Sequence, residues 1–316
     1  MFAKSRASVV LASFLVSIAP AFAGTIRVPQ DNPDLQNALN IAVDHTTIVI
    51  SKGTYVGPFT VGNIDDLTIR AKGKVVLRAN GPGDALTITN VNGLTLSKLR
   101  FRTASGDGLH LDTVTNGAIL GCRGQDVEFT AFSTDSCTAL RFEKCSVKRA
   151  NDGMYIDGKA ILVRNCKLSR VDGTLILLRG DEHVVERCKL SDAVNNGIDV
   201  GSALHIARLC LVTGNKIRGV AFGVNVGDLA DWTTIVGNKI KDSLFIAIRT
   251  KSANPGTVVD GNSIKNALYG ISLGASQVIV TRNTVKNCAT GGIAADVGSG
   301  ENLIHGNVVR EILKSA

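Results

Sequence analysis

The sequence predicts an all-β fold: a right-handed parallel β-helix, a solenoid of roughly ten coils with a short capping helix at its N-terminal end. Three observations predict it. First, an apolar alternation ending in Cys or Asn, one variable residue and another apolar residue recurs from Leu94 onward, as in Cys145-Ser-Val147, Cys166-Lys-Leu168, Cys188-Lys-Leu190, Asn215-Lys-Ile217, Asn238-Lys-Ile240, Asn262-Ser-Ile264, Asn283-Thr-Val285 and Asn307-Val-Val309. With Leu99 and Cys122 continuing the column backward, nine steps cover 208 residues, a mean near 23. Second, about seven to nine residues later comes a small residue followed by apolar, any, apolar: Gly108-Leu-His-Leu111, Gly153-Met-Tyr-Ile156, Gly197-Ile-Asp-Val200, Gly223-Val-Asn-Val226 and Gly270-Ile-Ser-Leu273, with Ala247 and Gly292 in the same place. Third, 33 glycines but only 4% aromatics suit many tight turns around a narrow core of Val, Ile and Leu.

From the N-terminus, residues 1–23 read as an export signal. Lys4 and Arg6 are followed by the apolar stretch Val9 to Ile18 and by Ala21-Phe22-Ala23 before Gly24. The stretch is too short to span a bilayer, so the expected location is secreted, periplasmic or cell-surface. Residues 24–316 are expected to form one domain, with 25–55 as cap and first strand. Asn32-Pro33-Asp34 starts a short helix whose apolar face is Leu35, Ala38, Leu39 and Ala42. Such a helix shields the core and the unpaired edge of the first coil.

In each coil the period-two alternation makes short strands, with the outer apolar residues of the Gly-anchored phrase inward and the middle one outward. The intervals are too short for crossover helices, which excludes doubly wound and barrel α/β folds. Asn at the recurring bend can hydrogen-bond its equivalent in the next coil, about 4.8 Å away. Cys in the same column is expected to act as a small buried thiol, with a disulfide or a metal site as alternatives. At the C-terminus only Val308 to Leu313 remain to cover the last coil.

Val28-Pro29-Gln30-Asp31-Asn32-Pro33-Asp34-Leu35-Gln36, with Ala38, Ile48-Val-Ile50 and Gly53-Thr-Tyr55, resembles the opening of the pectin-lyase-like β-helix proteins. The Gly-Ile-x-Leu and x-Asn-x-Ile phrases are similar to the parallel β-helix repeats of that superfamily. The resemblance covers Ile26 to Val309. It implies a carbohydrate partner, often an acidic polysaccharide, in a superfamily that includes lyases, hydrolases, epimerases and non-catalytic proteins.

A binding groove is expected where outward side chains of adjacent coils line up. One outward column reads Thr87, His110, Ser133, Tyr155, Leu175, Asp199, Asn225, Arg249, Ser272, Ala294; the residue two further on gives Thr89, Asp112, Asp157, Leu177, Gly201, Gly227, Lys251. Before the anchors stand Asp84, Asp107, Asp152, Asp172 and Asn196. The candidate catalytic residues are Asp152, Asp172, His110 and Tyr155, with Asp107, Asp199, Asn225, Arg249 and Lys251 for substrate binding. Asp112 and Asp157 are candidate calcium ligands; no organic cofactor is expected.

Two chemistries fit these residue types. Hydrolysis needs two carboxylates flanking the bond, a part for Asp152 and Asp172 in equivalent places of successive coils. Asn151-Asp152-Gly153 and Arg249-Thr-Lys251 resemble the Asn-Thr-Asp-Gly and Arg-Ile-Lys stretches of polygalacturonases, although no Gly-His-Gly stands near Asn195-Asn196-Gly197. β-Elimination or C5-epimerisation of a uronate needs a base and an acid across the ring, a part for His110 and Tyr155. Alginate epimerases carry Asp-Pro-His, of which Asp107-Gly-Leu-His110 is a loose echo. An exported surface or scaffold protein, binding without turnover, is the alternative; His183, in a turn insert, is expected to be solvated. The net charge of +8, about +6 without Lys4 and Arg6, favours an acidic partner. Basic residues read as scattered and do not interleave with aromatics, so no nucleic-acid partner is expected.

Overall fold

A computed structural model describes residues 24–103, 105–251 and 255–312; the export signal expected over residues 1–23 lies outside them. Among the described residues are twenty-seven parallel strands and one helix. The coils stack along one axial column of inward side chains: Ile26, Ile48, Ile69, Leu96, Ile119, Phe142, Val163, Val185, Val212, Ile235, Val259, Val280 and Ile304 are paired one to the next. The solenoid has about twelve turns rather than ten. The extra turns are N-terminal, where Thr25–Val28 pairs with the start of Thr47–Gly57 before the Cys/Asn phrase begins.

Leu35–Asn40 is the cap helix. Asp34 accepts the Asn37 N–H at 2.7 Å, and Leu35, Ala38 and Leu39 are buried over the first coil. At the other end the last strands, Leu303–His305 and Val308–Arg310, leave Leu303, Ile304, Val308 and Val309 exposed. No helix among the described residues is long and apolar enough to cross a membrane.

The bend column forms as its chemistry requires. Asn215, Asn238, Asn262 and Asn283 each donate Nδ2–H to the next amide oxygen at 3.0 Å, and each such oxygen also accepts a backbone N–H at 2.9 Å. The ladder ends on Asn307. Four residues before it in the column are Cys122, Cys145, Cys166 and Cys188, buried free thiols like the other three cysteines. Their Sγ–H groups find carbonyl oxygens, as Cys145 does at Ile119 O, 3.2 Å.

The small anchors of the second phrase have a steric cause. A Cβ on Gly153 would lie 2.2 Å from Leu175 O, and one on Gly197 2.5 Å from Gly223 O. The coils approach too closely there for a side chain of ordinary orientation.

Candidate functional site

The outward column runs in register as Thr87, His110, Ser133, Tyr155, Leu177, Asp199, Asn225, Arg249, Ser272 and Ala294. Leu177, not Leu175, holds the fifth place in this column. Leu175 fills the anchor position usually held by glycine and is fully buried, so an alignment on Gly173 slips by two residues. The same slip removes Asp172 from the site. Its N–H bonds Ala150 O, level with Asn151, and its side chain lines a separate groove with Asn151, Arg149 and Glu128. Asp152 and Asp172 are therefore not equivalent carboxylates.

Two consecutive coils bring together a chain of polar contacts. Ser133 Oγ donates to Asp107 Oδ2 at 2.6 Å and lies 2.9 Å from His110 Nδ1; His110 Nε2 lies 3.5 Å from Asp135 Oδ2. His110 and Asp107 themselves are 3.7 Å apart, so Ser133 relays their contact. Asp107 also accepts the Thr130 N–H at 2.9 Å, and its own N–H bonds Asp84 at 2.8 Å. Asp152 repeats that backbone role, accepting the Thr174 N–H at 2.7 Å through Oδ1. Its Oδ2 receives only a long contact from Asn151.

The electrostatics separate these groups. Burial pushes the Asp107 carboxyl up, but the neighbouring His110 imidazole and hydrogen bonds from Ser133 and Thr130 outweigh it and hold the group below the ordinary carboxylate value. The Asp107 carboxylate raises the His110 imidazole, against desolvation and with help from the charges of Asp84 and Asp135. Asp152 moves the other way: burial raises it, the Thr174 N–H opposes, and the Asp107 charge adds. Asp135 is also raised, by burial first, with His110 opposing and Asp157, Asp112 and Asp107 adding. Burial and the Asp157 charge raise the Tyr155 phenol.

A second cluster lies further along the same face. Arg179 and Asp199 form a buried ion pair at 2.9 Å, and Arg179 also donates to Leu178 O and Gly201 O. Asn196 and Asn225 donate to Asp199 Oδ1 at 3.2 and 2.6 Å. Arg249 donates to Asn225 Oδ1 at 2.7 Å with its guanidinium 4.2 Å from the Phe222 ring centroid. Lys251 lies 3.3 Å from Asp228.

Thus His110, Asp107, Tyr155 and Asp152 share one end of the face, and Asp199, Asn225 and Arg249 the other. Ser133, Asp135 and Arg179 are participants that sequence reasoning left out of the site. Asp135 follows Ala131-Phe132-Ser133-Thr134, where alanine replaces the glycine anchor, and Arg179 is hidden by the slip at Leu175. Asp112 pairs with Asp135, and Asp157 with Arg179, on consecutive coils. No three His, Cys, Asp or Glu side chains among the described residues draw together closely enough to hold a metal ion.

His183 is fully buried rather than solvated. Its Nδ1 accepts the Ile161 N–H at 3.2 Å and its Nε2–H donates to Arg179 O at 2.6 Å, so it is a neutral structural imidazole whose pKa burial lowers.

No curated protein matches the chain. Among solved structures it is similar to the A-module of a mannuronan C-5 epimerase from Azotobacter vinelandii, with 16% identity, a TM-score of 0.68 and coverage of 87% of this chain and 93% of that one. An exopolygalacturonase of Thermotoga maritima superposes with 8% identity, a TM-score of 0.63 and coverage of 87% and 86%. A tailspike protein of an E. coli bacteriophage, in complex with a pentasaccharide, gives 14% identity, a TM-score of 0.64 and coverage of 87% and 62%. These likenesses carry the fold. The model of the right handed beta helix region matches residues 152–309, and with the parallel coils and paired columns described above it makes this chain a member of that family.

Proposed function

We propose that the protein is an exported polysaccharide-acting β-helix protein that removes the C5 proton of a uronate unit, as a lyase or an epimerase. The observation that carries this reading is the Asp107–Ser133–His110–Asp135 chain, with Tyr155 next to Ser133 on the same outward column. Its polysaccharide-acting neighbours support the substrate class.

In its neutral form the His110 imidazole, made more basic by the carboxylates around it, takes the C5 proton, and the electron pair moves into the C5 carboxylate as an enediolate. The face around it is rich in acids, which would repel a uronate were all of them ionised. Asp152 and Asp135 have raised values and can share a proton with the substrate carboxylate, which stabilises the enediolate by hydrogen bonding. Tyr155 stays protonated at neutral pH. It gives its proton to the departing C4 oxygen in elimination, or to the opposite face of C5 in epimerisation. His110 and Tyr155 are two coils apart, about 10 Å along the axis, so the ring lies between them over Ser133.

Hydrolysis is the second reading, favoured by the opposite shifts of Asp107 and Asp152. They too are two coils apart, about 10 Å at the backbone, near the upper end of the carboxylate separation of inverting enzymes. A panel of polymannuronate, polygalacturonate and neutral glycans separates the readings. The first expects unsaturated or epimerised uronate that is lost in both His110→Ala and Tyr155→Phe; reducing ends without unsaturation, lost in Asp152→Asn, support the second. Asp152→Asn is chosen because it keeps an acceptor for the Thr174 N–H, whereas alanine would leave that group unpaired. Product formation that survives all three substitutions would overturn both.

A further inference from the structure

Four lysines stand in register on four consecutive coils: Lys167 pairs with Lys189, Lys189 with Lys216, and Lys216 with Lys239. The next outward row carries Lys148, Ser169, Ser191, Arg218, Lys241, Lys265, Lys286 and Arg310. Neither row contains a carboxylate between Ser146 and Arg310. The ion pairs of the described residues involve other cations, and none of these lysines or arginines takes part. Lys167, Lys189, Lys216, Arg218, Lys239 and Lys241 wall a shallow groove of about 440 Å³.

Like charges directly opposite one another on neighbouring strands repel and weaken the sheet. Rows that repeat such a contact over four or more consecutive coils, with no acid within them to offset it, are suited to an external polyanion. The strand Lys216–Val226 shows that this face is not the His110 face: Lys216 and Arg218 precede the irregularity between Val220 and Phe222, and Asn225 follows it.

We propose that this double row is an anchoring surface for a linear anionic polysaccharide with one charge per sugar, separate from the site around His110 and independent of its chemistry. The rows offer one or two cations per coil on a straight line, with a rise of about 4.8 Å. That spacing suits an extended polyuronate, which places one carboxylate on each sugar. Duplex nucleic acid presents a charge about every 1.7 Å on a winding path, a poor match to a straight row. The rows carry no aromatic side chain for stacking on unpaired bases. Nor do they contain an exposed large apolar residue to insert into a lipid surface, apart from Val308 beyond the last lysine of its row.

The test measures binding of the mature protein to polygalacturonate, dextran, a short DNA duplex and phosphatidylglycerol-containing vesicles. Wild type is expected to bind polygalacturonate and not dextran, with affinity falling roughly ten-fold or more between about 50 and 200 mM salt. The variant Lys189→Gln/Lys216→Gln/Lys239→Gln is expected to bind at least about ten-fold more weakly, since it removes three of the aligned charges. The corresponding triple Lys→Arg variant should bind like wild type, which separates loss of charge from loss of fold. His110→Ala should also bind like wild type while losing any turnover. The proposal is overturned if wild type does not bind polygalacturonate, if the triple Gln variant binds it unchanged, or if duplex or vesicles bind more tightly. Binding lost in His110→Ala but kept in the triple Gln variant would likewise overturn it, while leaving the His110 site as the polymer's place.

Discussion

Asn238 shows how much one side chain does in a solenoid bend. Its oxygen accepts two N–H groups of Asn215, backbone and side chain, and its amide donates to Val212 O and to Asn262. Leucine in its place strands these groups in a buried bend, and Asn238→Leu should lower stability by about 1–3 kcal/mol in chemical denaturation. A loss too small to measure would contradict a dry ladder. Asp107 and His110 make a second residue-level prediction, through pH. The folded value of His110 lies above its unfolded one, so its stabilisation is complete below the unfolded value and is lost as pH rises through the folded one. Asp107 has a depressed folded value; its stabilisation is present above the unfolded value and lost as pH falls through the folded one. The pair is therefore strongest in mildly acidic solution. The Tm deficit of His110→Ala should be larger near pH 5 than near pH 8.5; an equal deficit at both would show that the imidazole gains nothing from its carboxylate neighbours.

At the scale of the element, the cysteine strands behave as packing. All seven thiols are buried, and desolvation pushes Cys122 and Cys210 up to about 12 and Cys137 up to about 11. Those three hold almost no thiolate at neutral pH and burial shields all seven, so a thiol reagent should modify none of them until the chain unfolds, and mass spectrometry without reduction should find seven free thiols. A stoichiometric disulfide would contradict this. The same elements explain what was legible in the sequence. Where Asn or Cys marks the bend and glycine marks the anchor, strand and facing are readable, which brought out His110, Tyr155, Asp199, Asn225 and Arg249. Where Ala131 and Leu175 take the anchor, the marker vanishes although the backbone path continues. Asp135 and Arg179 were missed there, and Asp172 was misplaced. His183 was misjudged for a different reason: its ring is buried between Arg179 O, four residues back, and the Ile161 N–H of the preceding coil, a pairing across coils that no local pattern reveals. The aligned lysines were visible beside every Cys or Asn of the middle coils, but only the register turns their recurrence into a row.

Across the whole molecule, parallel stacking turns a short repeat into two long faces of different chemistry. One gathers carboxylates, an imidazole and a phenol around Ser133; the other is a run of uncompensated cations. Both follow from the same pairing of each coil with the next. If the basic rows hold a polyanion, polygalacturonate should raise the Tm of the wild type at low salt, and the gain should fade as salt rises. A gain that does not depend on salt would contradict an electrostatic contact. The chemistry of the first face is tested most directly by proton NMR of uronate polymers incubated with the protein in deuterium oxide. Proton removal at C5 is common to elimination and epimerisation, so the account predicts loss of the C5 proton signal through deuterium incorporation or formation of an unsaturated ring, absent with His110→Ala. Retention of every C5 proton by polymannuronate and polygalacturonate in the presence of wild-type protein would contradict it.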